Sequence, residues 1–220
     1  MNPALLRLLQ LCSPALPIGA YAYSQGLEHA VQAGWVKDEE TAADWILGLL
    51  DNALPCLEAP VLLRLIDDWA AGRDPQPWNE FLFASRGSAE LRAEDQRLGS
   101  ALARLLASLD LAEATPWIAA PRVTHACMFA LASARWGIAP GDAASGYLFS
   151  WTENQVGAAS RLVPLGQTAA QRILSRATAL IPEAVARART IPDEELGFAA
   201  PAHAIAAALH ETQYSRIFRS

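Results

Sequence analysis

The sequence predicts an all-α protein: a single bundle-like domain of about nine or ten helices. Apolar residues recur at helical spacings of three, four and seven along nearly the whole chain. Sustained period-two alternation and Asn-Gly or Asp-Gly hairpin turns are both missing from the sequence. The 220 residues, of which 52% are hydrophobic, are enough for one sizeable core. They therefore fit one domain over residues 1–220 better than two small ones.

Prolines and glycines divide this pattern into successive helices. Thr41 with an acid three positions on resembles a capping box, and Gly72 is suited to the end of a helix. Pro77 fits a first helical turn, whereas Pro164 must follow the end of a helix. The predicted helices cover residues 41–54, 59–72, 75–86, 88–110, 121–137, 142–163, 168–182 and 201–211.

The charge and cysteine content exclude several classes of protein. The net charge is −6 and the arginines are scattered, so no basic field for nucleic acid is expected. Three widely spaced cysteines argue against a disulfide framework and favour a reducing compartment. Neither a signal peptide nor a membrane-spanning stretch is evident, so we expect no membrane association and a cytoplasmic location.

Only 18% of the residues are charged, and much of the apolar excess is alanine and leucine. A surface short of charge is often covered by a partner. This suggests a helix-packed homodimer as one explanation, and a generally alanine-rich composition explains the low charge equally well.

Chemical motifs for catalysis or metal binding are weak. His210 and Glu211 invite comparison with the H-E-x-x-H zinc signature, but Tyr214 occupies the position of the second histidine. His203 lies seven residues before His210, about 10 Å along a helix, which is too far for both to bind one ion. Nucleophile elbows and phosphate loops are not found. We expect no catalytic residue, cofactor or metal, the alternative being a metal-binding protein or hydrolase that uses His203, His210 and Glu211.

Polar or aromatic residues lie at unusual places in three segments: the loop 12–26, the predicted helix 142–163 and the C-terminal residues 207–220. The loop 12–26 holds Tyr21 and Tyr23, which either bind a partner or cover the core. In the predicted helix 142–163, polar residues at 152–155 interrupt the apolar face. They either set the register of a helix contact or face solvent.

These segments also carry a family resemblance. "LLQLCSPALPIGAYAYSQGLE" (8–28), "YLFSWTENQVGAASRLVPLGQ" (147–167) and the final "HETQYSRIFRS" (210–220) resemble the signature segments of the UreF family of urease accessory proteins. "SRGSAELRAEDQRLG" (85–99) is a further match. The motifs occur in the same order as in the family and are spread over the whole chain. The resemblance therefore extends over the full length of the sequence.

The sequence departs from the family pattern at five positions. Ala20 stands where glycine is common, and Ala22 where serine or threonine is usual. Gly87 stands where glutamate is common, and Ile217 replaces leucine. Arg161 stands where lysine is usual, which keeps the charge but changes the donor geometry.

The resemblance implies a non-enzymatic, all-α scaffold that tends to dimerise. Such a protein binds the accessory protein UreD (also called UreH) and the GTPase UreG, and the assembly docks on apo-urease. Nickel is then inserted with GTP hydrolysis, which the UreF subunit couples or gates. The partner-binding residues implied by the motifs are Tyr21, Tyr23, Ser24, Glu28, Glu153, Asn154, Gln155, Arg161, Gln167, His210, Glu211, Tyr214, Ser215, Arg216, Phe218 and Arg219.

The C-terminal segment 211–220 is then expected to be a docking tail. We expect it to be loose in the isolated chain and to become ordered against UreD. Tyr214 and Phe218 would be its apolar anchors, and Arg216 would donate charged hydrogen bonds. Arg161 and the polar arc Glu153-Asn154-Gln155 would lie on or near the surface that contacts the GTPase.

Overall fold

The computed structural model describes residues 3–197 and 200–220, and these ranges contain ten α-helices and no strand. The helices are α1 Pro3–Leu11, α2 Leu27–Gln32, α3 Glu39–Asn52, α4 Glu58–Ala71, α5 Gln76–Ala84, α6 Ala89–Ser108, α7 His125–Arg135, α8 Pro140–Leu162, α9 Gln167–Ala188 and α10 Pro201–His210. Short 3₁₀ helices cover Ala20–Ala22, Leu54–Cys56, Ala112–Trp117 and Asp193–Glu195. The all-α prediction is confirmed.

The centre of the fold is helix α7, which packs between α4 and α6. Its residues from Ala126 to Ser133 are all buried, as expected for a helix that is surrounded by other helices. Helix α8 packs against α9, and α3 packs against both of them. One hydrophobic core joins these helices, and it extends from Leu11 near the N-terminus to Phe218 near the C-terminus.

Several helix ends differ from the sequence prediction by one or more residues. Helix α3 begins earlier, because Asp38 is its N-cap and Thr41 closes the capping box at the third position. Helix α7 begins only at His125, where the Thr124 hydroxyl accepts a hydrogen bond from the amide of Cys127. Helix α9 continues through Pro182 to Ala188. The prediction that Gly72 ends α4 is confirmed, with φ of 68°.

The N-terminal helix α1, which the spacing analysis did not delimit, lies against α8. A Cβ on Gly146 of α8 would lie 2.7 Å from Leu8 Cδ1 and 2.8 Å from Cys12 Sγ, so glycine permits this close approach. Elsewhere on α1, Leu5, Leu6 and Leu9 are each about half exposed. Helix α1 thus presents an apolar stripe on the surface of the chain.

Within residues 3–197 and 200–220, no single helix is long and apolar enough to span a membrane. One bent pair, Glu39–Cys56 with Glu58–Ala71, passes by length and composition, and most of its apolar residues are buried in the core.

Candidate partner-docking site

The loop between α1 and α2 contacts the C-terminal tail (residues 211–220). The Ser24 amide donates to the Ser220 carbonyl oxygen over 2.8 Å, and the Ser24 hydroxyl donates to the same oxygen over 2.5 Å. The Arg219 amide donates to the Ala22 carbonyl oxygen over 2.9 Å. The tail therefore lies along the loop, although almost 200 residues separate them in sequence.

A close contact between α2 and α10 fixes where the tail starts. Gly26 precedes α2 with φ of 83°, a left-handed conformation that glycine adopts without strain. A Cβ at this position would lie 2.8 Å from the backbone nitrogen of Ala207 in α10. Glycine therefore allows the two helices to touch, and α10 delivers His210 to the side chains of α2 and α6.

Glu28 on α2 is buried and binds the tail through both carboxylate oxygens. Oε1 accepts from the Ile217 amide over 2.6 Å, and Oε2 accepts from the Phe218 amide over 2.9 Å. Oε2 also lies 3.1 Å from Nε2 of His210, which is fully buried. One carboxylate thus satisfies two tail amides that would otherwise lack partners.

The first turn of α6 supplies a second carboxylate. Glu90 Oε2 lies 2.6 Å from His210 Nδ1, and Glu90 Oε1 accepts from Arg216 over 2.6 Å. Glu211 accepts from the Ala89 amide over 2.6 Å, so it caps the N-terminus of α6, where a negative charge is favourable. His210, Glu211 and Arg216 are therefore engaged within the chain itself.

Glu94, one turn further along α6, binds the last residue of the tail. It accepts from the Ser220 hydroxyl and from the Gln25 side-chain amide, each over 2.7 Å. Gln25 in turn accepts from the Trp151 indole of α8 over 2.8 Å. Burial raises the pKa of Glu94 to about 7, against the opposing effect of these hydrogen bonds.

Besides Trp151, two polar side chains of helix α8 contact the loop. Asn154 donates to the Tyr23 carbonyl oxygen over 3.2 Å, and Arg161 donates to the Tyr21 carbonyl oxygen over 3.0 Å. The Arg161 guanidinium also lies 6.0 Å from the ring of Tyr21 and 5.8 Å from that of Phe218. Both distances allow a cation–π attraction.

The other two residues of the polar arc, Glu153 and Gln155, differ in how deeply they are buried. Glu153 is half-buried, and burial raises its pKa. Gln155 is buried, and neither polar atom of its side chain has a hydrogen-bond partner among the described residues. Gln167, the first residue of α9, is exposed and lies outside the cluster just described.

A cavity of about 500 Å³ is lined in part by the loop. Cys12, Tyr21, Glu94, Trp151 and His203 are among the residues that line it. It contains no ready metal site: within residues 3–197 and 200–220, no group of three His, Cys, Asp or Glu side chains is placed to hold an ion. The His203 ring lies 6.4 Å from that of Trp45 between ring centroids, whereas His210 contacts Glu28 and Glu90.

The structure therefore brings most of the sequence-predicted site residues together, but it buries several of them. Phe218 is only 4% exposed, which differs from its expected role as an anchor offered to a partner. The expectation of a loose tail also differs from the structure, because Glu28, Glu90 and Glu94 bind it to the domain. The buried site residues are Tyr23, Ser24, Glu28, Gln155, His210 and Phe218.

The exposed members of the site form a surface around the tail. Tyr21 is 64% exposed, and the Tyr214 side chain is fully exposed. Ile217, on the tail, and Ile205 and Leu209, on α10, are also exposed. Ser215, Arg216 and Arg219 add polar and charged groups. We call this set, with Glu211, the tail surface.

Sequence reasoning missed four residues that hold the tail: Gln25, Glu90, Glu94 and Trp151. All four lie within the motifs quoted above, so the motif matches were the available signal. Which residues in a motif meet the tail depends on contacts between distant parts of the chain, and spacing alone does not reveal them.

Fold and site together define an all-α protein whose surface aromatic and charged groups are organised around its own C-terminal tail, a form suited to protein–protein contact. A profile of the UreF family matches residues 36–178. The chain is 49% identical to a urease accessory protein UreF of Alkalilimnicola ehrlichii, over 100% of this chain and 98% of the relative. It is 48% identical to the corresponding proteins of Chromohalobacter salexigens (99% and 95%) and Teredinibacter turnerae (100% of both).

The chain therefore belongs to the UreF family of urease accessory proteins, which are not enzymes. The relatives match over their whole length, so the tail and the N-terminal loop, which lie outside the profile match, are part of the similarity.

Proposed function

We propose that this chain is a scaffold for maturation of urease in the cytoplasm. It would hold UreD (UreH) and the GTPase UreG on apo-urease and couple or gate GTP hydrolysis while nickel is inserted. The observation that carries the proposal is the tail surface: exposed aromatic and aliphatic side chains lie on a tail that internal carboxylates fix in place. Preorganised aromatic and arginine side chains are typical of binding hot spots.

UreD is the partner that we assign to the tail surface. Tyr214 and Ile217 extend into solvent and make a contact face that a partner can bury. The buried site residues would act indirectly, since Glu28 and Phe218 determine where Tyr214 and Arg216 are placed. This assignment replaces the simple picture of a loose tail with that of a preformed docking surface.

UreG is assigned to the neighbouring surface on α8. Arg161 is exposed, carries a positive charge and lies beside Tyr21. Glu153 and Asn154 lie on the same helix and are half-buried, so they contribute polar groups at the edge of this surface. Arg161 is joined to the tail through Phe218, which gives a physical connection between the two proposed interfaces.

A homodimer is the further assembly that we propose. The apolar stripe of Leu5, Leu6 and Leu9 on α1 is a surface that a second copy could cover. Sedimentation of the chain alone and with its partners tests this, since a monomer under both conditions would contradict it.

The central test is Tyr214→Ala in a co-purification with UreD, followed by size exclusion with light scattering. Tyr214 is fully exposed, so its removal leaves the fold intact. We expect UreD binding to weaken at least ~10-fold, as for loss of an interface hot spot. Phe81→Ala, which removes an exposed aromatic on α5 outside the tail surface, is the matched control and should bind as the unaltered chain does.

Deleting residues 211–220 should abolish UreD binding, but it also removes the hydrogen bonds that Glu28 and Glu94 accept from the tail. The point variant is therefore the sharper experiment. Full UreD affinity in both Tyr214→Ala and Ile217→Ala would contradict the assignment of UreD to the tail surface.

A further inference from the structure

The contacts of His210 require more protons than its neighbours ordinarily supply. The ring is fully buried, and each of its nitrogens faces a carboxylate oxygen: Nδ1 faces Glu90 at 2.6 Å and Nε2 faces Glu28 at 3.1 Å. A neutral imidazole has only one N–H, and ionised carboxylates have none. Two hydrogen bonds among these three side chains therefore need one proton more than neutral histidine and two carboxylates provide.

The charge balance around the cluster of Glu28, Glu90 and His210 also requires one additional proton. Arg216 is the cation that faces it from the tail, and it pairs with Glu90. With the extra proton, the two negative charges of Glu28 and Glu90 are balanced by the positive charges of Arg216 and of that proton. Without it, a net negative charge stays in a buried place, and one nitrogen–oxygen contact becomes a repulsion between two acceptors.

Two other acids lie near the cluster on the elements packed against it. Glu94 is on α6 with Glu90, but it faces Ser220 and Gln25. Glu211 follows His210 and faces the amides at the start of α6. Neither is in hydrogen-bond contact with His210 in the structure, so the extra proton belongs to Glu28, Glu90 and His210 as a group.

We infer that Glu28, Glu90 and His210 form a proton-loaded latch, in which one bound proton holds the C-terminal tail on the domain and loss of that proton releases it. Glu90 and His210 are positioning residues, since they place the tail and do not form its exposed surface. The functional meaning of the latch rests on the proposed docking role of the tail. The latch itself is tested on the chain alone, so either proposal can fail without the other.

The test measures how strongly the Ile217 and Phe218 amides are protected from hydrogen exchange between pH 5 and pH 10, by NMR. Both amides donate to Glu28, so their protection reports tail docking. We expect the protection to fall by up to ~10-fold per pH unit once the proton leaves, the limit for one linked proton. Protection that does not change between pH 5 and pH 10 would overturn the latch.

Two isosteric variants make the test specific. In Glu90→Gln, the new amide N–H can donate to Nδ1 of a neutral ring while the amide oxygen still accepts from Arg216. We expect protection within ~3-fold of the unaltered chain at low pH, with most of the pH dependence lost. In Glu28→Gln, an amide N–H faces a backbone N–H, so protection should be lost at every pH.

Two further variants serve as controls. His203→Gln changes a histidine on the same helix whose Nε2 has no hydrogen-bond partner among the described residues, and Glu94→Gln removes the nearest other titrating acid. His203→Gln should keep the pH dependence of the unaltered chain. Glu94→Gln should lose only the part that Glu94 itself contributes near pH 7 and keep the rest. The latch is overturned if Glu90→Gln keeps that dependence, or if Glu94→Gln abolishes it.

Discussion

Arg161 and Tyr21 are joined across 140 residues of sequence. The Arg161 guanidinium donates to the Tyr21 carbonyl oxygen over 3.0 Å and lies 6.0 Å from the tyrosine ring. The same guanidinium faces the ring of Phe218 in the tail. One exposed arginine thus connects helix α8, the N-terminal loop and the C-terminal tail, which are the parts of the chain that carry its family motifs.

Replacing Arg161 with alanine should loosen the loop without unfolding the chain. The lost hydrogen bond corresponds to ~1 kcal/mol, so proteolytic cleavage between residues 12 and 26 should become about fivefold faster. Arg161→Lys can still donate to the carbonyl oxygen but lacks the planar face that lies over both rings, so an intermediate rate is expected. Equal cleavage rates in all three chains would show that Arg161 does not hold the loop.

Within the proposed function, the same variant should also change the response of UreG. Arg161→Ala is expected to alter assembly with UreG or the rate of GTP turnover in the complex. Unchanged assembly and turnover would remove the assignment of this surface to the GTPase.

Arg86 should be among the most sensitive charged positions for stability. It is largely buried, donates to Asp95 over 2.7 Å and pairs with both oxygens of Glu58. Arg86→Met leaves two buried carboxylates without their cation, and we expect unfolding in urea to show a loss of about 3–5 kcal/mol. Arg187→Met removes a half-exposed pair with Asp51 and should cost no more than about 1 kcal/mol. Equal losses in the two variants would contradict this difference.

The helices were largely predictable from the sequence, but the long-range contacts were not. Apolar spacing and the glycine after α4 identify local structure, because both depend on neighbours within one or two turns. The positions of Glu90 and Glu94 opposite the tail depend on how α10 packs against α2 and α6. A polar, aromatic tail has the composition of an exposed segment. Phe218 and His210 are nevertheless buried, because carboxylates and helices from distant parts of the chain pack against them and bind their polar groups.

Glu94 should make the chain less stable as the pH rises from about 4.5 to about 7. Its pKa is raised to about 7 by burial, whereas an unfolded glutamate titrates near 4.5. In that interval the folded chain binds more protons than the unfolded chain, so unfolding becomes easier as pH rises. Glu94→Gln does not titrate, and its stability relative to the unaltered chain should improve by up to about 3 kcal/mol across this window. A constant difference between the two chains would contradict the raised pKa.

His125 should have the opposite effect in nearly the same window. Burial lowers its pKa to about 4, so the unfolded chain takes up a proton between about 6.5 and 4 that the folded chain does not. Stability is therefore lost as pH falls through this range. His125→Phe keeps an aromatic ring against Tyr147 and Phe129 and should remove the loss, as measured by thermal unfolding at pH 4.5 and pH 7. If the variant remains as sensitive to acid as the unaltered chain, His125 is not responsible.

A substitution at Gly26 tests whether the contact between α2 and α10 determines the position of the tail. Gly26→Ala places a Cβ in a left-handed conformation and 2.8 Å from the backbone nitrogen of Ala207, which cannot move away as a flexible side chain can. We expect a cost of about 2–4 kcal/mol, the sum of the conformational and packing penalties.

Gly72→Ala is the matched control for this contact, because Gly72 has φ of 68° but nothing within 4 Å of its Cβ position. It should cost only about 1 kcal/mol, the conformational part. The difference between the two variants, measured in urea, isolates the packing part. Gly26→Ala should also reduce exchange protection at Phe218, whereas Gly72→Ala should not, because only the former separates α10 from α2 and so displaces His210 from Glu28. Equal costs and equal protection would mean that the helix contact does not place the tail.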